Sequence, residues 1–201
     1  MTTTIIFIRH GLTDWNREQR WQGHEDIPLN EEGMSQARAL SRRISSWPIH
    51  ALYSSDLLRA SQTAAIVAVE LNLKPILKKT WRERDVGRFQ GLTREQIKTQ
   101  YPIKYSEMQR GFVSPPDGEN NNDLSRRAES ALNELLTNHP GQQIAVVSHG
   151  AILQITLLHV LGLPGDAFGR LSLSGNTGIS IVQANNGRLR LTCLNDTAHL
   201  E

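Results

Sequence analysis

Cysteine is nearly absent from this chain, with Cys193 the single instance in 201 residues. An intramolecular disulfide and a cysteine-based zinc cluster are therefore excluded, and the usage suits a reducing compartment, so a cytoplasmic location is expected. An excess of either charge is missing too. The 22 Lys and Arg stand against 20 Asp and Glu, a net of +2, which argues for neither a nucleic-acid partner nor a membrane surface. No apolar stretch approaches the ~20 residues of a membrane span. Met1-Thr2-Thr3-Thr4 runs directly into a short apolar segment, without the basic and apolar regions of a leader. Low-complexity linkers are absent as well. The strongest break, Pro115-Pro116-Asp117-Gly118-Glu119-Asn120-Asn121-Asn122-Asp123, is a loop between two periodic segments, so one domain over residues 1–201 is expected.

Two apolar runs stand out among the elements that are present. Ile5-Ile6-Phe7-Ile8 is too short and too β-branched for a helix and ends at Arg9-His10-Gly11. Ile144-Ala145-Val146-Val147 repeats the logic and ends at Ser148-His149-Gly150. Ligands of open α/β sheets collect beyond the carboxyl ends of the strands, and adjacent parallel strands would bring both imidazoles to one rim. Shorter strands are expected at residues 51–53 and 75–77, and a hairpin at 178–182 and 189–194 around Asn185-Asn186-Gly187. Helices are expected from an Asn30 N-cap to about residue 46, after Arg59 through the Ala60, Ala64, Val67, Leu71 face, and over 93–100, 124–138 and 151–161. Residues 12–29 show no apolar period and read as a long loop, a length uncommon unless functional.

The motifs in order are Arg9-His10-Gly11-Leu12-Thr13-Asp14-Trp15-Asn16, Gln22-Gly23, Ser54-Ser55-Asp56-Leu57-Leu58-Arg59-Ala60, Arg82-Glu83-Arg84 and Val147-Ser148-His149-Gly150. As an ensemble this resembles the histidine phosphatase superfamily, the phosphoglycerate-mutase-like enzymes. With Gly23 and the late Asn195-Asp196-Thr197-Ala198-His199, it looks most like the bacterial broad-specificity and small-metabolite phosphatases. The resemblance implies a single-domain three-layer α/β/α fold with a mostly parallel central sheet. It also implies a metal-independent phosphatase that hydrolyses small phosphorylated metabolites through a phosphohistidine on His10, with no cofactor. Arg9, Arg59 and His149 would hold the phosphoryl oxygens, and Asn16 and Gln22 would add neutral contacts. Glu83 would donate the proton. By spacing alone a carboxylate between Arg82 and Arg84 is an ion-pair network, and Asn16 and Gln22 could equally be ordinary loop residues.

Residue types agree with this chemistry. An imidazole is a competent phosphoryl acceptor, and guanidinium forks match phosphate oxygens without losing their charge. A cofactor-dependent mutase would use the same residues. Family mutases usually carry a longer, more basic segment between the Glu motif and the second His, whereas residues 101–123 here offer only Lys104 and Arg110. A non-catalytic phospho-ligand binder would require a lost catalytic residue, and none is lost. Leu12, where an acidic or small residue is common, and Asn120, where Ser is common, depart from the family pattern. Homodimers occur among such proteins, but no stripe in this sequence specifies an interface.

Overall fold

In a computed structural model, which describes residues 1–111 and 113–201, the chain forms a three-layer α/β/α domain. Strands β1 (Thr3–Arg9), β2 (Ala51–Ser54), β3 (Ile76–Leu77), β4 (Gln143–Ser148), β5 (Ile179–Asn185) and β6 (Arg188–Asp196) form one sheet in the order β3-β2-β4-β1-β5-β6. The first four run parallel, and β5 and β6 add an antiparallel hairpin at one edge. Asn186 and Gly187 both have positive φ (49° and 73°), which a two-residue hairpin turn of this hand requires.

The continuous apolar runs are explained by burial on both faces of the sheet. Ile5 and Phe7 of β1, with Ile144 and Val146 of β4, pack against α6 (Asn121–Asn138) and α7 (Gly150–Val160). Ile6 and Ile8, with Ala145 and Val147, face α2 (Glu31–Ile44) and α3 (Leu58–Leu71) on the other side. The core is therefore two layers of side chains with β1 and β4 between them. A small third cluster, Val86, Phe89 and Ile97 with Trp21 and Tyr101 against it, gathers α4 (Arg94–Gln100) and α5 (Pro102–Gln109) beyond the strands' carboxyl ends.

Local chemistry sets the boundaries. The Asn30 side chain caps α2 by accepting from Gly33 N at 2.8 Å, and Thr93 with Gln96 forms a reciprocal capping box on α4. Gly33 is required sterically. A Cβ there would lie 2.1 Å from the Leu12 carbonyl oxygen, because the first turn of α2 presses on the loop after β1. That loop is held by its backbone, with Leu12 N donating to Gln36 Oε1 and Leu12 O accepting from Asn30 N. The departure at Leu12 is thus at a position whose main chain makes the contacts.

Two expectations are corrected, and one helix is added. Residues 12–29 are not all loop, since Thr13 and Asn16 close a capping box around the single-turn helix α1 (Asp14–Arg17). Such a turn is too short to show a hydrophobic period. The helix expected over 93–100 does close before Pro102, as α4, but Pro102 starts a further helix, α5, that was not expected; its fixed φ and missing N–H are tolerated in the first turn. The helix expected from residue 124 begins at Asn121, because the Asn120 side chain accepts from Asn122 N and Asp123 N. Asn120 therefore does the work of the Ser common there, and this departure is conservative.

Candidate active site

The register of β1 on β4 pairs Arg9 with Ser148, so the residues that follow each strand, His10 and His149, meet at one rim. Their ring centroids are 5.1 Å apart. The continuing ladder bond from His10 N to Ser148 O, at 2.9 Å, fixes the first of them. Both rings are buried, at 3% and 0% exposure. Burial pushes each imidazole's pKa well below its usual value, and the Arg59 guanidinium pushes in the same direction. Both rings are therefore neutral at neutral pH.

Neutral rings have a tautomer, and the partners decide it. His10 Nδ1 lies 2.7 Å from the Gly11 carbonyl, which can only accept, so the proton is on Nδ1 and Nε2 carries a free lone pair. His149 Nδ1 lies 3.1 Å from Arg59 Nε, which can only donate, so the proton is on Nε2. That Nε2 is buried without a partner among the described residues. One ring thus offers a lone pair and the other an unused N–H, an arrangement suited to an electrophile that carries acceptor oxygens.

The guanidiniums are held by backbone carbonyls. Arg59, fully buried in the first turn of α3, donates to the carbonyls of Glu25 at 2.8 Å and Gly23 at 2.9 Å. Burial lowers its pKa to about 10, so it stays charged at neutral pH. Arg9 donates through one terminal nitrogen to the carbonyls of Leu173 and Ser174, both at 2.8 Å, and its Nε is buried with no partner among the described residues. Asn176 closes the floor, with Nδ2 on the His10 carbonyl at 2.9 Å and within 3.4 Å of Asn16 Oδ1.

Glu83 is not the ion pair that its neighbours suggest. Arg82 turns away to a two-bond pair with Asp56, at 2.7 Å each, and Arg84 gives its Nη1 to Asn121 Oδ1 and the carbonyls of Val113 and Glu119. The Glu83 carboxylate sits instead on the N-terminus of α7. Its Oε1 accepts from Arg84 N at 2.8 Å, Ala151 N at 3.1 Å and Ile152 N at 3.3 Å, whereas Oε2 has only a share of Ala151 N at 3.2 Å. A Cβ placed on Gly150 would lie 3.9 Å from Glu83 Oε2 and 3.8 Å from Arg9 Nε, so both atoms border the start of α7. The Glu83 backbone is fastened by residues that carry no motif. His24 Nε2 and Arg127 both reach its carbonyl, at 2.8 and 3.1 Å, and Arg127 also holds the carbonyls of Thr80 and Arg82 and the carboxylate of Glu119. Their only signal in the sequence is residue type.

Arg9, His10, Asn16, Gln22, Arg59 and Glu83 all line one cavity of about 200 Å³, and His149 backs it through its contacts with His10 and Arg59. Asn16 uses its Oδ1 internally, on Thr13 and Asn176. Gln22 is buried and its Oε1 has no partner among the described residues. Of the other cations clustered along the motifs, Arg17, Lys78 and Arg88 pair with Glu32, Glu134 and Asp117 away from the cavity. Among the described residues, no group of three or more His, Cys, Asp or Glu is placed to hold a metal, and no helix is long and apolar enough to cross a membrane.

This is the architecture of a phosphate-handling α/β enzyme. The chain belongs to the histidine phosphatase superfamily (branch 1), whose model matches residues 5–197. It is 31% identical to the metal-independent phosphoserine phosphatase of Arabidopsis thaliana over 204 residues, covering 98% of this chain and 83% of that one. It is 36% identical to phosphoglycerate mutase-like protein 4 of the same organism over 155 residues, covering 75% and 67% of the two chains. The structure superposes with a TM-score of 0.90 on a mutant phosphoserine phosphatase from Entamoeba histolytica in complex with phosphoserine, at 30% identity, covering 99% of this chain and 100% of that one.

Proposed function

We propose that the protein hydrolyses small phosphomonoesters without a metal, through a phosphohistidine on His10. The observation that carries the reading is the complementary pair of tautomers in two neighbouring rings 5.1 Å apart, a lone pair on His10 Nε2 and an unused N–H on His149 Nε2. The Nε2 lone pair forms a bond to phosphorus as the phosphorus–oxygen bond to the leaving group breaks. Arg9, Arg59 and His149 Nε2–H stabilise the charge on the three equatorial oxygens, donors of a kind that each supply roughly 10²–10³-fold in rate. Glu83 donates its proton to the departing oxygen. Oε2 is the oxygen free to do so, because Oε1 is occupied by three N–H groups. Glu83 then takes a proton from water as the water oxygen attacks phosphorus and the phosphorus–nitrogen bond breaks, returning His10 and releasing inorganic phosphate.

Hydrolysis is favoured over transfer to a second hydroxyl by the segment 101–123, between the Glu motif and the second His. Its two bases are used locally, Lys104 on Glu107 and Arg110 on the Ser106 carbonyl, and neither lines the cavity. The single half-buried cysteine supports a cytoplasmic setting. The test is phosphate release from a panel of phosphomonoesters in EDTA, beside an assay of 3-phosphoglycerate isomerisation with catalytic 2,3-bisphosphoglycerate. Hydrolysis in EDTA is expected, at rates exceeding isomerisation. Faster isomerisation, or turnover that requires an added divalent ion, overturns the reading.

A further inference from the structure

We propose that Thr177 and His199 are positioning residues for the nucleophile, and that through them the turn after β6 holds the main chain that carries His10. The proposal rests on the phosphatase reading, in which His10 attacks phosphorus, and adds two residues that touch neither the substrate nor the reacting atoms.

Thr177 has a strained backbone. Its φ is +57°, a region that β-branched residues rarely enter, and it stands there in the stretch Gly175-Asn176-Thr177-Gly178. Glycine would take that angle without strain, so the threonine side chain has a use that offsets it. The angle turns the Thr177 N–H onto the carbonyls of Arg9 at 3.0 Å and His10 at 3.3 Å, and the His10 carbonyl also accepts from Asn176 Nδ2 at 2.9 Å. The Thr177 side chain is fully buried, with its hydroxyl 2.7 Å from the Asn176 carbonyl and 2.9 Å from His199 Nε2. A carbonyl can only accept, so the hydroxyl proton goes to Asn176 and His199 donates through Nε2. Burial, and then the Arg43 guanidinium, lowers the His199 pKa, so at neutral pH the ring is neutral with its lone pair on Nδ1. That Nδ1 is buried without a partner among the described residues. Hydrogen bonds thus run from His199 through Thr177 to Asn176, and the last two residues hold the His10 carbonyl.

The far end of this relay is anchored on α2. Arg43 holds the Asp196 carboxylate with both terminal nitrogens, and the same carboxylate accepts from Ala198 N at 3.0 Å, at the start of the short turn Ala198–Leu200. The two segments are also in close contact, since a Cβ on Gly175 would lie 2.5 Å from Thr197 Cγ2. None of residues 195–199 lines the cavity, so their influence on it passes through the main chain. The consequence is geometric. His10 donates through Nδ1 to the carbonyl of the next residue, Gly11, so the direction of its Nε2 lone pair follows the backbone at 10 and 11. A misplacement of about 1 Å in a reacting group costs on the order of 10²-fold in rate. Fixing the His10 carbonyl therefore aims the attack on phosphorus. Arg59 is held separately by the carbonyls of Gly23 and Glu25, and His149 by Arg59, so phosphate binding does not depend on this relay.

Single-turnover kinetics test this, with enzyme in saturating excess over a ³²P-labelled phosphomonoester. The loss of labelled ester then gives the rate constant for phosphorylation of His10, which an unfolded fraction of the enzyme does not change. Thr177→Val, which keeps the shape and removes the hydroxyl, and His199→Leu should each lower that constant roughly 10–10²-fold, with the inhibition constant of inorganic phosphate within about twofold of wild type. Thr177→Ser and His199→Gln, which restore a hydroxyl and an N–H donor, should recover most of the rate. The double variant of Thr177→Val and His199→Leu should be no slower than Thr177→Val alone, because both act along one chain of contacts. An unchanged rate constant in either single variant overturns the proposal, as do losses that multiply in the double variant or that weaken phosphate inhibition in the same proportion. His199 is only half-buried, so its variants carry the test if Thr177→Val does not fold. Wild-type enzyme that acquires no label on His10 refutes the phosphatase reading itself, whereas label on His10 with unchanged rate constants refutes only the positioning role.

Discussion

Replacing Glu83 by Gln separates a proton donor from a structural carboxylate. The change keeps size and shape, and a Gln carbonyl oxygen at the Oε1 position can still accept from Arg84, Ala151 and Ile152 N. Only the Oε2 position, with its single shared contact to Ala151 N at 3.2 Å, becomes an amide nitrogen. The stability cost is then one marginal hydrogen bond, about 1 kcal/mol or less. The loss of a transferable proton is a larger effect. General acid catalysis is worth roughly 10²–10⁴-fold when the leaving group is an alkoxide, and far less when it departs as a stable nitrophenolate. Rapid-quench measurement of His10 phosphorylation should therefore show a loss of roughly 10²–10⁴-fold with an alkyl phosphate and under about tenfold with nitrophenyl phosphate. Equal losses with the two substrates would refute Glu83 as the acid.

The buried histidines predict how stability follows pH. Both pKa values are lowered in the folded state, so below about 6.5 the unfolded chain binds protons that the folded one refuses. Their contribution is fully present above about pH 6.5 and is lost as pH falls, by on the order of 1 kcal/mol per pH unit for each ring at most. Thermal melting from pH 8 to pH 5 should show Tm dropping below about 6.5, with a shallower drop in His10→Gln; a Tm rising on acidification contradicts the two neutral rings. At the N-terminus of α6, Asn120→Ala should cost about 1 kcal/mol and Asn120→Ser a few tenths at most, by denaturant titration. Equal effects of the two would mean that the cap contributes nothing.

What was legible in the sequence followed from periodicity and strand ends. The runs at Ile5 and Ile144 are apolar on every residue because both faces of the sheet are covered, and that alone identified the two central strands. Their pairing brought His10 and His149 together as expected. Single-turn and proline-initiated helices escaped notice because α1 and α5 bury no residue fully and leave no periodic trace. The surroundings of Glu83 escaped for another reason. Adjacent residues in an irregular segment point in different directions, so Arg82 and Arg84 flank Glu83 in sequence yet bind Asp56 and Asn121 in space. Asn176 and Arg127 serve the site through backbone carbonyls, and no motif or spacing marks such contacts.

The central claim is that His10 Nε2 becomes phosphorylated during turnover. Enzyme mixed with a ³²P-labelled phosphomonoester and quenched within milliseconds should carry label that is stable in base, released in acid and located on His10 by peptide mapping. The same label should be absent from His10→Ala. Label on another residue, or near-normal turnover by His10→Ala, would contradict the account.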